Sequence, residues 1–351
     1  MLGEAWGSNE AAAKSPFVGA TGRELNRLLE ETGFLPRGTS RQISPNHYTF
    51  HVPLRDRIYA DHGLFPTNVF NLQPRGNKIE DLCGPRWGDL PAIRPGKYIR
   101  PEFLRELERL ENEILYEKPN LIIGLGGTAC WFCLGRTAVT KFRGTVALTK
   151  YGKFLPTFHP AFLFKGAWDQ RVVVKFDLEK ALREAAYPEL RRPERNIYIP
   201  DSVEDLLWGR HRALEAARLS VDIETVGDQI TCIGFAWSAH EAFVIPIFDF
   251  QKPDRCYWDA ANEMLAWNII RELCECSIPK VFQNGMYDVH FLWKRYNIKP
   301  ANCAEDTMLL HHALQPEVKK GLGFLGSIYT NEASWKVMRG KSKTIKDVRE
   351  E

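Results

Sequence analysis

Gly3-Glu-Ala-Trp-Gly-Ser-Asn-Glu-Ala-Ala-Ala-Lys-Ser-Pro-Phe-Val-Gly19 is the stretch around which the first half of the chain is organised. Its glycines at positions 3 and 7 read as a Gly-rich turn, where the missing Cβ lets backbone approach a ligand closely. Carboxylates at Glu4 and Glu10 and a ring at Phe17 follow at short spacing. That mixture suits a pocket with one polar wall and one flat apolar wall, and a planar ligand would fit it. The same residues, taken alone, also make a turn followed by a core phenylalanine.

A chain of 351 residues has room for two domains, each with its own core. At 44% hydrophobic and 26% charged it has the composition of a globular protein. No apolar run approaches the roughly 20 residues that span a bilayer, and no charged-then-apolar leader opens the chain. The expectation is a soluble, cytoplasmic protein without a membrane partner. A net charge of +3 is too small to argue for nucleic acid unaided, so any DNA surface must come from local clusters. The eight cysteines are irregularly spaced and do not form a disulfide framework.

Outward from the opening stretch, Thr21 to Thr32 carries Leu25, Leu28 and Leu29 at helical spacing and stops at Gly33. A loop-like segment rich in Pro, His and Arg follows from Leu35 to Pro66. Thr67-Asn-Val-Phe-Asn then reads as a short strand carrying Asn68, with Asn77 nine residues on in a Pro-Arg-Gly-Asn-Lys loop. Pro101 to Glu117 is an amphipathic surface helix with Leu104, Leu107, Leu110 and Ile114 on one face. The run from Asn120 enters Gly124-Leu-Gly126-Gly127-Thr-Ala129, which formally matches a dinucleotide fingerprint. That fingerprint needs an acidic residue about 20 positions on, and Gly144 to Lys150 offers none, so a dinucleotide site is rejected. Phe-Leu-Pro-Thr-Phe-His159-Pro-Ala-Phe-Leu-Phe164 places a histidine before a proline, and Val172 to Glu184 reads as a strand passing into a closing helix near Tyr187.

These features together resemble the family 4 uracil-DNA glycosylases over roughly residues 2 to 186. The family's first motif is Gly-Glu-Ala-Pro-Gly, Glu-Asp, then Pro-Phe-Val-Gly; Trp6 stands here for its proline and Ala11 for its aspartate. The Thr-Asn strand, the Gly-Asn loop, the strand and helix after Asn120, and Thr-x-His-Pro-Ala follow in family order. The resemblance implies that Phe17 stacks on uracil with Ala5 nearby, and that Asn68 reads the pyrimidine edge. It also implies that His159 donates to uracil O2, and that Glu4, Glu10 and Asn77 position or activate water, the base among them being unassigned. The family carries an iron-sulfur cluster on four cysteines. Here Leu72 replaces one, the segment from Pro101 to Leu107 lacks another, and no cysteine precedes the first motif, so no cluster is expected. The first strand also looks nearly missing, which fits a late-called start or a truncated gene.

Beyond a charged, proline-bearing linker from Pro188 to Asn196, Ser202 with Asp205 forms a capping box for a helix running to about Arg218. Leu219-Ser-Val-Asp-Ile-Glu-Thr225 is a strand whose alternation puts Asp222 and Glu224 on one face. Strand patterns at Gln229 to Ser238 and Glu241 to Phe248 make a meander. Two carboxylates on one face repel unless a cation lies between them; the alternative is one solvated acid and one in an ion pair. Lys280-Val-Phe-Gln-Asn284-Gly-Met-Tyr-Asp288 adds another acid at a helix start. This half resembles the DEDD-type 3′–5′ exonucleases of family A DNA polymerases, Asp222-x-Glu224 matching the first motif and Asn284-x-x-x-Asp288 the second. The resemblance implies Mg2+ or Mn2+ held by Asp222, Glu224 and Asp288, and a structural or supporting role for Asp306. The third motif, a Tyr or His four residues before an Asp, is not found: Lys343 precedes Asp347. The lysine-rich tail from Lys336 to Lys346 is a solvated charge run or a DNA-facing loop.

The expected fold class is α/β: a three-layer α/β/α glycosylase fold with a parallel sheet at 1–187 and a linker at 188–197. A partial RNase H-like mixed-sheet exonuclease domain, incomplete at its C-terminus, follows at 198–351. The expected function is hydrolysis of the N-glycosidic bond of deoxyuridine in DNA. Partners are uracil-containing DNA, 3′ ends and a DNA polymerase, in a phage or plasmid replication module. The rival readings are a non-catalytic DNA-binding accessory of a polymerase, or primarily a metal-dependent exonuclease.

Overall fold

A computed structural model describes residues 1–43 and 52–332. The lysine-rich tail and the Lys343–Asp347 pair lie outside the described residues. The chain divides into two compact units, Met1–Arg191 with Gly323 onward, and Arg192–Leu322.

In the first unit the elements run β1 (Leu2–Ala5), α1 (Ser8–Ala13), α2 (Ala20–Glu31), α3 (Thr39–Ile43), α4 (Val52–Asp61), β2 (Thr67–Phe70), β3 (Cys83–Gly84), β4 (Tyr98–Ile99), α5 (Leu104–Glu117), β5 (Ile122–Leu125), α6 (Gly127–Leu134), α7 (Val139–Phe142), β6 (Ala147–Thr149), β7 (Gly152–Thr157), α8 (Pro160–Leu163) and α9 (Arg171–Glu184). The main sheet has the order β2-β1-β5-β7-β6. Its first four strands are parallel and β6 joins antiparallel at the edge. Helix α2 buries Leu25, Leu28 and Leu29 completely, as its 3.6-residue stripe dictates, and β2, β5 and β7 bury Val69, Phe70, Leu125, Phe154 and Leu155, successive residues on opposite faces of the sheet.

Three local expectations change. The stretch from Gly3 to Gly7 is not a turn: Leu2–Ala5 is a strand inside the sheet, so the first strand is present and paired on both sides. Glycine at position 3 answers to crowding, because a Cβ there would lie 2.2 Å from Asn68 Oδ1 and 2.8 Å from Phe17 Cζ. The segment from Leu35 to Pro66 contains helices α3 and α4. Val172 begins no strand, since Arg171–Glu184 is helical throughout and buries Val173, Val174 and Leu178. Three valines in succession favour a strand locally, but burial on the sheet decides otherwise.

The second unit runs β8 (Asn196–Tyr198), α10 (Val203–Leu214), β9 (Leu219–Val226), β10 (Gln229–Ala236), β11 (Glu241–Pro246), α11 (Ala260–Glu275), β12 (Lys280–Phe282), α12 (Met286–Tyr296), β13 (Cys303–Asp306) and α13 (Thr307–Leu314). Its sheet has the order β13-β12-β9-β10-β11-β8. The meander β9-β10-β11 is antiparallel, while β12, β13 and β8 pair parallel, so the sheet is mixed. Ser202 Oγ accepts from Asp205 N at 3.1 Å, as the capping box requires, and α10 ends at Leu214, short of Arg218. The core gathers Leu206, Val221, Ile223, Phe235, Phe243, Ile270, Phe282 and Leu292.

A last helix, α14 (Leu322–Tyr329), packs within the first unit from Gly323 onward. Arg143 Nη1 donates to Ser327 Oγ at 2.9 Å, and Lys180 Nζ donates to the Ser327 carbonyl, to Thr330 O at 2.7 Å and to Gly144 O at 2.8 Å. Contacts therefore group residues that the sequence reading carried with the second domain.

Candidate active site

The carboxyl ends of the parallel strands, where ligands of open α/β sheets bind, surround a cleft of about 730 Å³. Glu4, Ala5, Glu10, Phe17, Asn68, Asn77 and His159 all line it. Residues more than 150 positions apart in the sequence thus meet through sheet register: Gly3 pairs with Asn68, Leu2 with Gly124, and Leu125 with Thr157.

Asn68 is 2% exposed, and its carboxamide has no hydrogen-bond partner among the described residues. A buried amide normally has partners, so this one is built to meet a ligand. Phe17 is buried in the left-handed region at φ +57, where a bulky residue is a genuine outlier. Two fastenings impose that conformation. Arg55, on the unexpected helix α4, donates to Ser15 Oγ and to the Pro16 carbonyl, and Glu10 Oε1 accepts from Gly19 N at 2.9 Å. The Phe17 and His159 rings lie 6.3 Å apart.

His159 caps α8, its Nδ1 accepting from Ala161 N at 3.0 Å. In the neutral ring this bond places the remaining proton on Nε2. Burial, and then the Lys165 charge, push the imidazole down to about 4, so it is a neutral donor at neutral pH. Its position is fixed from behind. Thr157 Oγ1 donates to Asp177 Oδ2 at 2.7 Å, Arg143 Nε donates to the same oxygen at 2.9 Å, and Gly126 N donates to Thr157 O at 2.9 Å. Gly126 has φ +94, and a Cβ there would stand 3.2 Å from His159 Cβ.

Glu4 accepts from Thr128 Oγ1 and has Arg94 Nη2 at 3.9 Å. Asn77 is exposed at the rim, with φ +54 and its Oδ1 accepting from Gln73 Nε2 at 2.9 Å. Arg55, Arg94 and Thr128 were not singled out from the sequence. Arginines and a threonine in ordinary loops and helices carry no spacing signal of their own.

A scan against family models matches the uracil DNA glycosylase superfamily over residues 1–190. This chain belongs to the uracil DNA glycosylase superfamily. A second model, described as 3′–5′ exonuclease, matches residues 200–349. The chain therefore joins a domain of the uracil DNA glycosylase superfamily to a domain of the 3′–5′ exonuclease kind. Among curated proteins it is similar to a type-4 uracil-DNA glycosylase of Thermotoga maritima, 26% identical over 185 residues, covering 52% of this chain and 74% of that one. Among solved structures it is similar to RNase D of Trypanosoma brucei in complex with GMP, 18% identical with a TM-score of 0.31, covering 40% of this chain and 43% of that one. RNase D of Escherichia coli is 16% identical with a TM-score of 0.31, covering 44% and 40%. The chain spans about two-fifths of the length of these two structures.

In the exonuclease unit Asp222 and Glu224 lie on the exposed face of β9, as alternation requires. Asp288 on α12 is 4% exposed, and its Oδ1 accepts from Ile223 N at 3.2 Å, between the other two acids in sequence. Burial pushes the Asp288 carboxyl up to about 6, and the Asp222 charge adds to the rise. Asp306 caps α13 and accepts from Asn284 N at 3.1 Å, Gly285 N at 2.8 Å and Met308 N at 2.8 Å. Burial alone would raise it, but these donors hold it below the usual carboxylate range. Carboxylate oxygens suit hard divalent cations. Among the described residues, however, no group of three or more His, Cys, Asp or Glu side chains closes to metal-holding geometry. The same holds for thiols: Cys130 and Cys133 are buried, and burial pushes the Cys130 thiol up to about 12. Leu72 occupies the position where the cluster resemblance requires a ligand. The residues present do not fit an iron-sulfur cluster. No described helix is long and apolar enough to cross a membrane.

Proposed function

We propose that the cleft of the first unit excises uracil with Asn68, Phe17 and His159 as its recognition and catalytic centre. The observation that carries this reading is their convergence: an unpartnered amide, an apolar ring and a neutral imidazole donor on one cleft. A stacked base is out of reach, so uracil enters flipped or from a single strand. Phe17 then covers its face, with Ala5 beside it, and the Asn68 amide pairs with its polar edge. His159 Nε2–H donates to O2 as negative charge develops there, a donor of the kind worth roughly 2.7 to 4 kcal/mol. Neutrality matters, because only the neutral ring leaves Nδ1 able to accept from Ala161 N while Nε2 keeps the proton it donates.

Water is handled by Glu4 and Asn77, while Glu10 shapes the site. Glu10 has one oxygen on Gly19 N and its carboxylate lies against Gly7, where a Cβ would come within 2.7 Å of it. Glu4 keeps an oxygen free of the Thr128 bond.

The functional division we propose is 1–187 for the glycosylase, 188–197 for the linker and 198–351 for the exonuclease domain, with no iron-sulfur cluster in the first. In the second, Asp222, Glu224 and Asp288 are the carboxylates we propose for Mg2+ or Mn2+; they would have to draw together around the ion, since no such group stands in metal-holding geometry among the described residues. The pairing of the two domains supports a DNA polymerase partner and a cytoplasmic phage or plasmid replication module. Formation of alkali-labile abasic sites in a uracil-containing oligonucleotide tests the glycosylase reading. His159→Ala and Asn68→Ala are each expected to lose most of it. Activity surviving both substitutions would overturn the assignment, and binding without abasic sites would favour a non-catalytic DNA-binding module.

A further inference from the structure

We infer that Arg109 is a positioning residue for Asn68, and that with Glu106 and Glu113 it fastens the uracil-reading strand in the place of a cluster. The inference rests on the reading of the cleft given above. Strand β2 has a sheet neighbour on one side only and packs against α5. Arg109 Nη2 donates to the carbonyl of Asn68 at 2.8 Å and to that of Val69 at 3.2 Å. Its Nη1 donates to Glu113 Oε1 at 2.6 Å and to Thr67 Oγ1 at 3.4 Å, and its Nε donates to Glu106 Oε2 at 3.1 Å. Both carboxylates return to the strand. Glu113 Oε2 accepts from Thr67 Oγ1 at 2.8 Å, and Glu106 Oε2 accepts from Asn71 N at 2.9 Å.

Spacing alone would make Glu106, Arg109 and Glu113 ordinary helix-surface pairs. The contacts to Thr67, Asn68, Val69 and Asn71 set them apart, because one guanidinium fork spans the residue that reads the base and its two neighbours. Bonds to charged donors and acceptors are the stronger kind, and the guanidinium holds its donors in a fixed plane. The cluster positions implied by the family resemblance, Leu72 and the segment 101–107, lie in the two pieces of chain that the Asn71–Glu106 bond joins. A polar clamp thus ties together what thiolates and iron would otherwise tie.

The test is a double-mutant cycle read in uracil excision, with a denaturant melt of every variant: Arg109→Met, Arg109→Lys, Asn68→Ala and the Arg109→Met/Asn68→Ala double variant. Arg109→Met is expected to lower kcat/KM about tenfold to a hundredfold, the scale of a misplaced binding group. Arg109→Lys, lacking the fork, should recover only part. In the Asn68→Ala background the Arg109 change should cost excision nothing more, since it acts through the missing amide. Glu106→Gln keeps an acceptor for Asn71 but loses the ion pair, and carries the same cycle if Arg109→Met does not fold. Iron analysis of the purified wild type should find none. Unchanged excision in Arg109→Met, or the same fractional loss in both backgrounds, would overturn the positioning role. Stoichiometric iron would overturn the replacement of the cluster. An Asn68→Ala chain that excises uracil at the wild-type rate would instead overturn the reading of the cleft, and this inference with it.

Discussion

Gly3→Ala should damage the glycosylase through a single methyl group that touches no substrate atom. The residue sits on β1 opposite Asn68 on β2. Its new Cβ would lie 2.2 Å from Asn68 Oδ1 and 2.8 Å from Phe17 Cζ, where ordinary contact begins at 3.4 Å. The amide must therefore retreat by 3.4 − 2.2 = 1.2 Å and the ring by 3.4 − 2.8 = 0.6 Å. Overpacking of this size costs about 1–3 kcal/mol of stability. A displacement of about 1 Å in a positioning group costs on the order of a hundredfold in rate. Two measurements separate the effects: excision kinetics on a labelled uracil-containing strand at a temperature where the variant is folded, and a urea melt. Gly321→Ala is the control, since nothing lies within 4 Å of a Cβ there. Wild-type excision by a folded Gly3→Ala protein would refute the claim that Asn68 and Phe17 must stand where they do.

Three further outcomes follow from the same geometry. His159 is held near 4 in the fold against an ordinary 6.5, so the unfolded chain takes up a proton first as pH falls. Stability should decline from about pH 6.5 to about pH 4 by at most roughly 3 kcal/mol, less for the partial exposure of the ring. A His159→Gln variant, melted across the same pH range, should lack that component; identical profiles would contradict the burial of a neutral ring. Asp177→Ala leaves the Arg143 guanidinium buried without its partner and should cost about 3–5 kcal/mol in a urea melt, whereas a loss near zero would mean that the pair is dispensable. Mn2+ binding followed by electron paramagnetic resonance should weaken in Asp222→Ala and in Asp288→Ala; unchanged spectra in both would remove these residues from the proposed metal site.

The fold was legible where periodicity met burial. The stripe of α2, the alternation of β9 and the Ser202 capping box all appear where the pattern put them. At Gly3 the local pattern and the structure part: two glycines in five residues signal a turn, while glycine at position 3 answers to crowding from Asn68 and Phe17, brought in by tertiary pairing. Three valines at 172–174 misled for the same kind of reason, local propensity yielding to the surface that the helix covers. Of the cleft, the residues that the family resemblance singles out all line one cavity. Their supports were not legible: Arg55 behind Phe17, Thr128 beside Glu4 and Arg109 behind Asn68 are contacts across 40 to 124 positions, which no local pattern encodes.

Release of free uracil from a single-stranded deoxyuridine oligonucleotide in excess EDTA, followed by chromatography, tests the central claim most directly. The proposed chemistry runs on the Asn68 amide, the His159 donor and a water. Free uracil should therefore appear at an undiminished rate with chelator present, and disappear when Asn68 and His159 are both replaced by alanine. Release that stops with EDTA, or continues in the doubly substituted protein, would contradict the account.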